Sequence, residues 1–225
     1  NNVKGCKVYD RINLLVPSLF VSATAEAIEK IKLMDHVIGV YKDEPIYISN
    51  NVENRMYRSS NIMKPMMIES NDLIGNDSSV QSKYDGRGQV LAVIDGNMDP
   101  SHEVFYLSDG VEGKLSYQDI QTRLDGSDGK IKLEANANAI KADDPWVNKV
   151  PFGFNYFTNK AELNPENEKA AHGQHVAGTM GGNHSVVDGQ DWHGVAPNAQ
   201  LLFLNCMYKG QTSAKSYISA AIDAV

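Results

Sequence analysis

This sequence predicts an α/β fold built on a parallel sheet. GQVLAVID (88–95) is a short apolar run bounded by Gly88 and ending in a carboxylate, the pattern of a strand buried on both faces of a parallel sheet, and AQLLFLNCM (199–207) reads as another buried strand. HGQHVAGTMGG (172–182) stands between them and reads as a helix. Alternating buried strand and helix builds a three-layer architecture. The sheet is expected to be incomplete on its C-terminal side, because the chain stops inside or at the end of a further helix. Part of a smaller α+β unit is expected to precede it.

Composition sets the outer bounds. A chain of 225 residues accommodates a small domain followed by most of a larger one. Its 42% hydrophobic and 22% charged residues are those of an ordinary globular protein, and a formal charge of −7 argues against a nucleic-acid partner. No apolar run approaches the roughly 20 residues that span a bilayer. Ile12–Val21 is apolar but short, and it lacks the basic flank and cleavage site of a signal peptide. The chain begins at Asn1 rather than Met, so an upstream start and any targeting segment are expected to lie outside it. Two cysteines, Cys6 and Cys206, exclude a disulfide framework and argue against a thiolate metal site. They read as small buried hydrophobes, with a single bridge left open.

Three zones follow one another. In residues 1–48, Val8–Val16 and Leu19–Ser22 read as extended, and Thr24 caps a helix (AEAIEKIKLM) with an apolar stripe at Ala27, Ile28, Ile31 and Leu33. His36–Tyr47 then returns as a strand. Residues 49–83 are polar, with a Met-rich patch and one docked stretch at Ile68–Gly75, and read as a linker where proteolytic cuts fall. Residues 84–225 hold the α/β pattern, with further strand candidates at Lys130–Leu133 and Val150–Phe157. A last helix (SAKSYISAAIDAV) is expected to start from a Ser213 cap.

Asp95 ends the first buried strand, the place where parallel sheets put their sites. Asp99, close behind, reads as a loop brace. His172 opens a helix thinned by Gly173, Gly178, Gly181 and Gly182, so the helix can approach the sheet closely, and a helix N-terminus favours the neutral imidazole that a general base needs. His172 and His175, three apart, could instead share a metal, but no Glu lies between them, and His102, His184 and His193 fit no ligand spacing. The order Asp then His, 77 positions apart, is that of an Asp…His…Ser triad.

These motifs resemble those of the subtilases. VLAVIDGNMD resembles the family's Asp motif, HGQHVAG its His motif, and GVAPNAQL the segment that follows. DPSHEVF, WVNKVPFGFNY and the long insertion between the motifs are similar to the Gram-positive cell-envelope proteases of the lactocepin and C5a-peptidase type. The resemblance implies a subtilisin-like sheet in 84–225, behind a remnant of an inhibitory propeptide in 1–48. It also implies a serine endopeptidase that is secreted or bound to the cell wall, with Asp95 orienting His172 and His172 as the base. The partners implied are a protein or peptide substrate and the chain's own propeptide.

The family's Gly-Thr-Ser-Met-Ala motif, its oxyanion-hole Asn and its substrate-pairing strand are not found in the sequence, so the nucleophile is expected beyond Val225 and the chain is expected to be inactive as it stands. Gly96 and Asn97 replace the usual Ser or Thr and Gly, and Gln174 replaces a Thr. These departures leave a non-catalytic pseudoprotease as the alternative, with a zinc hydrolase using His172 and His175 behind it. No cofactor is expected. Val104 occupies the region of a calcium-binding Asp of the compact subtilisins, so no such site is expected, and structural calcium elsewhere in a longer protein stays open.

Overall fold

The computed structural model describes residues 3–12, 17–47, 66–126, 137–165, 172–187, 189–207, 212–214, 218, 221–222 and 225. The strand candidate Lys130–Leu133 and the whole of the expected linker before Met66 (49–65) lie outside these residues.

A parallel sheet organises the second half. Its strands are β4 (Val90–Asp95), β5 (Phe152–Asn155) and β8 (Gln200–Asn205), with β8 in the middle and both neighbours parallel to it. The register matches Val90 with Gln200 and Asp95 with Asn205, while Asn155 also faces Asn205. Successive side chains alternate between faces. Leu201 and Phe203 of β8 enter a cluster with Val93, Phe105, Val150 and Ala177, and Leu202 and Leu204 enter a second with Ile120, Phe152 and Phe154. All six residues of β8 are buried, which is why its sequence shows no polar alternation.

Helices cover both faces, as the α/β reading expects. α5 (His172–Gly181) packs on β4 and β8 through Ala177. α4 (Tyr117–Asp125) lies on the opposite face through Ile120 and Leu124. It starts with a capping box, in which Ser116 Oγ accepts the Asp119 N–H at 3.1 Å and the Asp119 carboxylate accepts the Ser116 N–H at 2.8 Å. The short helices α2 (Met66–Leu73) and α3 (Ser78–Gln81) precede β4, and a hairpin of β6 (Ser185–Val187) and β7 (Gln190–Trp192) follows α5.

The N-terminal zone forms an antiparallel pair, β1 (Cys6–Ile12) with β2 (Ser18–Ala23), bulged between Val8 and Asp10. Helix α1 (Ala25–Lys32) follows, and its cap Thr24 accepts the Ala27 N–H at 3.3 Å. Ile12 is buried in the same cluster as Ile120 and Phe154, so this unit seats against the face of the sheet that α4 covers.

Two expectations are corrected here. Of His36–Tyr47 only β3 (Pro45–Tyr47) is a strand, because 37–44 find no ladder partner and Ile38 points fully into solvent. Ser213 is not a helix cap but lies in β9 (Thr212–Ala214), paired antiparallel with β3 so that Ser213 faces Ile46. A strand partner from the far end of the chain overrides the local capping preference. Helical backbone is present later, at 218 and 221–222.

Lys149 is the one buried cation among the described residues, at 0% exposure. Its Nζ donates to Pro197 O and Ala199 O, each at 2.6 Å, and so clips the lead into β8 to the lead into β5. Two carbonyls match the two N–H bonds of a neutral amine, and burial lowers its pKa from 10.5 to about 7. An unfolded lysine keeps its proton up to about pH 10.5, so between about pH 7 and 10.5 the unfolded chain binds more protons and stability rises with pH. Below pH 7 both states are charged and the desolvation cost is fully present. Lys149→Met is expected to abolish this rise. Relative to the variant, wild-type stability by urea unfolding should climb by about 5 kcal/mol across that window; parallel curves would contradict the account.

Candidate active site

The C-terminal end of β4 delivers Asp95, and the first residue of α5 delivers His172. Asp95 is 7% exposed, and its Oδ1 accepts the Gly96 N–H at 2.6 Å. The same oxygen lies 2.8 Å from His172 Nδ1. A carboxylate can only accept, so Nδ1 carries the hydrogen in this contact and the lone pair of a neutral ring sits on Nε2. The backbone of Asp95 is pinned as well, its carbonyl accepting the Cys206 N–H at 2.8 Å.

Close packing makes the contact. A Cβ on Gly173 would stand 2.6 Å from Gly96 O and 2.9 Å from Asn97 O, so only glycine lets the first turn of α5 rest on the turn after β4. Gln174, where the His motif leads one to expect Thr, reaches across the same seam: its Oε1 accepts the Asp99 N–H at 2.7 Å. Asp99 in turn accepts from the N–H and Oγ of Ser101 at 2.9 and 2.6 Å, the geometry of a loop brace.

Both cysteines are thiols. Burial, with the Asp95 charge adding to it, pushes the Cys206 thiol up to about 12, so it stays neutral and offers no thiolate.

Residues 86–225, more than half of the chain, match the Subtilase family of S8 peptidases. The chain belongs to the subtilase family. This subtilase is 34% identical over 144 residues to the PI-type proteinase of Lactococcus lactis subsp. cremoris, which covers 64% of this chain and 7% of that protein. It is 33% identical over 144 residues to the PII-type proteinase of Lacticaseibacillus paracasei, with the same coverage. To the C5a peptidase of Streptococcus pyogenes serotype M1 it is 32% identical over 147 residues, 62% of this chain and 11% of that one. The expected likeness to the lactocepin and C5a-peptidase type is borne out, and the chain spans only a small part of the length of these relatives.

The structure brings Asp95 and His172 together, and among the described residues it assembles no metal-ligand cluster around His172 and His175. His175 is exposed, and the described residues contain no group of three His, Cys, Asp or Glu side chains arranged to hold an ion. His102 lies edge-on to Phe105, while the tilted rings of His184 and His193 lie 4.8 Å apart at the β6–β7 hairpin, with Asp191 2.8 Å from His184 Nδ1. Sequence reasoning missed the Gln174–Asp99 link and the buried amides Asn97 and Asn205, described below.

The seam of this subtilase discriminates between its glycines. Gly173→Ala is expected to cost about 1–3 kcal/mol through overpacking against backbone that cannot yield, and to part His172 from Asp95. Gly178→Ala, whose Cβ would meet Trp192 at an ordinary 3.5 Å, is expected to melt at or slightly above the wild-type temperature. Equal melting of the two variants would show that the close approach is not what fixes the helix.

Proposed function

We propose that this subtilase is the Asp- and His-bearing part of a serine endopeptidase, secreted or held at the cell wall and preceded by its own inhibitory propeptide. The observation that carries the reading is the 2.8 Å contact between Asp95 Oδ1 and His172 Nδ1 at the C-terminal edge of a parallel sheet. In the proposed reaction a Ser supplied by sequence after Val225 attacks the peptide carbonyl, and His172 Nε2 takes its proton. The imidazolium, oriented and stabilised by Asp95, returns that proton to the leaving amine, and water then resolves the acyl-enzyme through the same base. The reaction needs no cofactor. The substrate is a protein or peptide in extended form.

The domain reading is residues 1–48 as propeptide, 49–83 as linker, cut between Ser49 and Ser82, and 84–225 as the first part of the peptidase. The antiparallel ladder between β3 and β9 supports it, because it lays an extended segment of the N-terminal zone along a strand of the peptidase part, the way a peptide adds to an exposed edge. In this reading β9 is the strand that would hold an extended substrate after the propeptide leaves.

Two measurements test the proposal. In this reading residues 1–225 alone should hydrolyse no peptide, because the family's Gly-Thr-Ser-Met-Ala motif and oxyanion-hole Asn are not found in their sequence. In the protein translated from the complete gene, Asp95→Asn should lower kcat about 10⁴-fold with little change in KM, since the imidazole loses its acceptor and its tautomer. A complete protein that cleaves nothing, or cleaves equally well with Asn at 95, would move the reading to a non-catalytic homologue acting by binding.

A further inference from the structure

We propose that the buried amides Asn97 and Asn205 are positioning residues, a polar tie that holds the turn after Asp95 and through it the Asp95–His172 contact. The inference rests on the proposed roles of Asp95 and His172. It starts from a departure noted in the sequence: Asn97 stands where the resemblance calls for glycine, and Asn205 is a polar residue inside an otherwise apolar run.

Asn97 is 1% exposed and Asn205 0% exposed. A primary amide buried without partners is strongly disfavoured, because nothing replaces the hydrogen bonds it made to water, so each must be engaged or selected against. Asn205 is engaged on both ends. Its Nδ2 donates to Asn97 Oδ1 at 2.8 Å and to Leu163 O at 3.1 Å, and its Oδ1 accepts the Met207 N–H at 3.1 Å. With both amide hydrogens used, the side chain has one orientation.

That orientation gathers three segments at the end of the sheet. Asn205 closes the central strand β8 and sits in register beside Asp95 on one side and Asn155 on the other. Its carbonyl accepts the Tyr156 N–H at 2.7 Å, and the next residue, Cys206, donates to Asp95 O at 2.8 Å. Through Asn97 it reaches the turn that carries Asp95 forward, and through Leu163 O it reaches the loop whose carbonyl also receives the Met98 N–H at 3.3 Å. The carbonyls of Gly96 and Asn97 form the surface on which Gly173 rests. The tie therefore sets the height of the turn on which His172 is seated. Backbone bonds fix Asp95 itself, but among the described side chains Asn205 is the one that fixes Asn97 from β8.

The test reads the contact directly. In the chain of residues 1–225, the proton on His172 Nδ1 should give a downfield NMR resonance, lost in Asp95→Asn. Asn205→Leu keeps the branched shape and the number of heavy atoms but removes both donors and the acceptor. Asn97→Ala removes the acceptor alone and serves where the first variant does not fold. Either variant, with an otherwise native spectrum, should lose or markedly shift that resonance, and in the complete protein should lower kcat about 10²-fold at near-constant KM, the scale of a 1 Å misplacement. A folded variant that retains the resonance unmoved overturns the proposal. That failure is distinct from failure of the function itself, which would show as hydrolysis unaffected by Asp95→Asn.

Discussion

The structure depends on one close approach, the first turn of α5 resting on the backbone of the turn after β4. Gly173 permits it, since any Cβ would press on Gly96 O and Asn97 O. Because the helix begins there, its first side chain, His172, lies over the strand-end carboxylate rather than a turn away from it. The 2.8 Å contact between Asp95 and His172 is thus a consequence of backbone packing and not of a flexible side chain reaching for a partner.

Around that seam the polar groups are concentrated at one edge of an otherwise apolar sheet. β4, β8 and β5 end in Asp95, Asn205 and Asn155, all nearly or fully buried. Parallel strands leave their C-terminal ends in line, so short polar side chains placed there converge, and that is why such sheets carry chemistry at this edge. The opposite end is handled differently. There the lead-in to β8 is held by Lys149 and by the Gln200 side chain, whose Nε2 donates to Leu115 O and Asn148 O. One end of the sheet is fixed by structural polar contacts and the other is left to the candidate site.

The strands of the sheet were legible because burial on both faces writes itself into the sequence as an unbroken apolar run. Asp95 and His172 were legible because their positions, a strand end and a helix start, follow from the same patterns. What sequence could not yield was long-range. Ser213 carries a good local capping signal, yet β3, more than 160 residues earlier, supplies the ladder that makes it a strand residue. Residues 37–44 have the composition of a strand and no partner to pair with. Lys149 and Asn205 look like interruptions of apolar runs. Only the fold reveals the carbonyls and amides that they satisfy.

Taken together, the seam and the polar sheet edge hold the Asp95–His172 pair on which the proposed protease reading rests, and the β3–β9 ladder adds the strand pairing that supports its domain reading. The most direct measurement of the central claim is active-site labelling of the protein from the complete gene with a fluorophosphonate, followed by peptide mapping. The account predicts one adduct, on a serine after Val225, formed rapidly by the wild type once the N-terminal segment is removed and not formed by His172→Ala. Labelling that is indifferent to His172, or absent from the wild type, would contradict it.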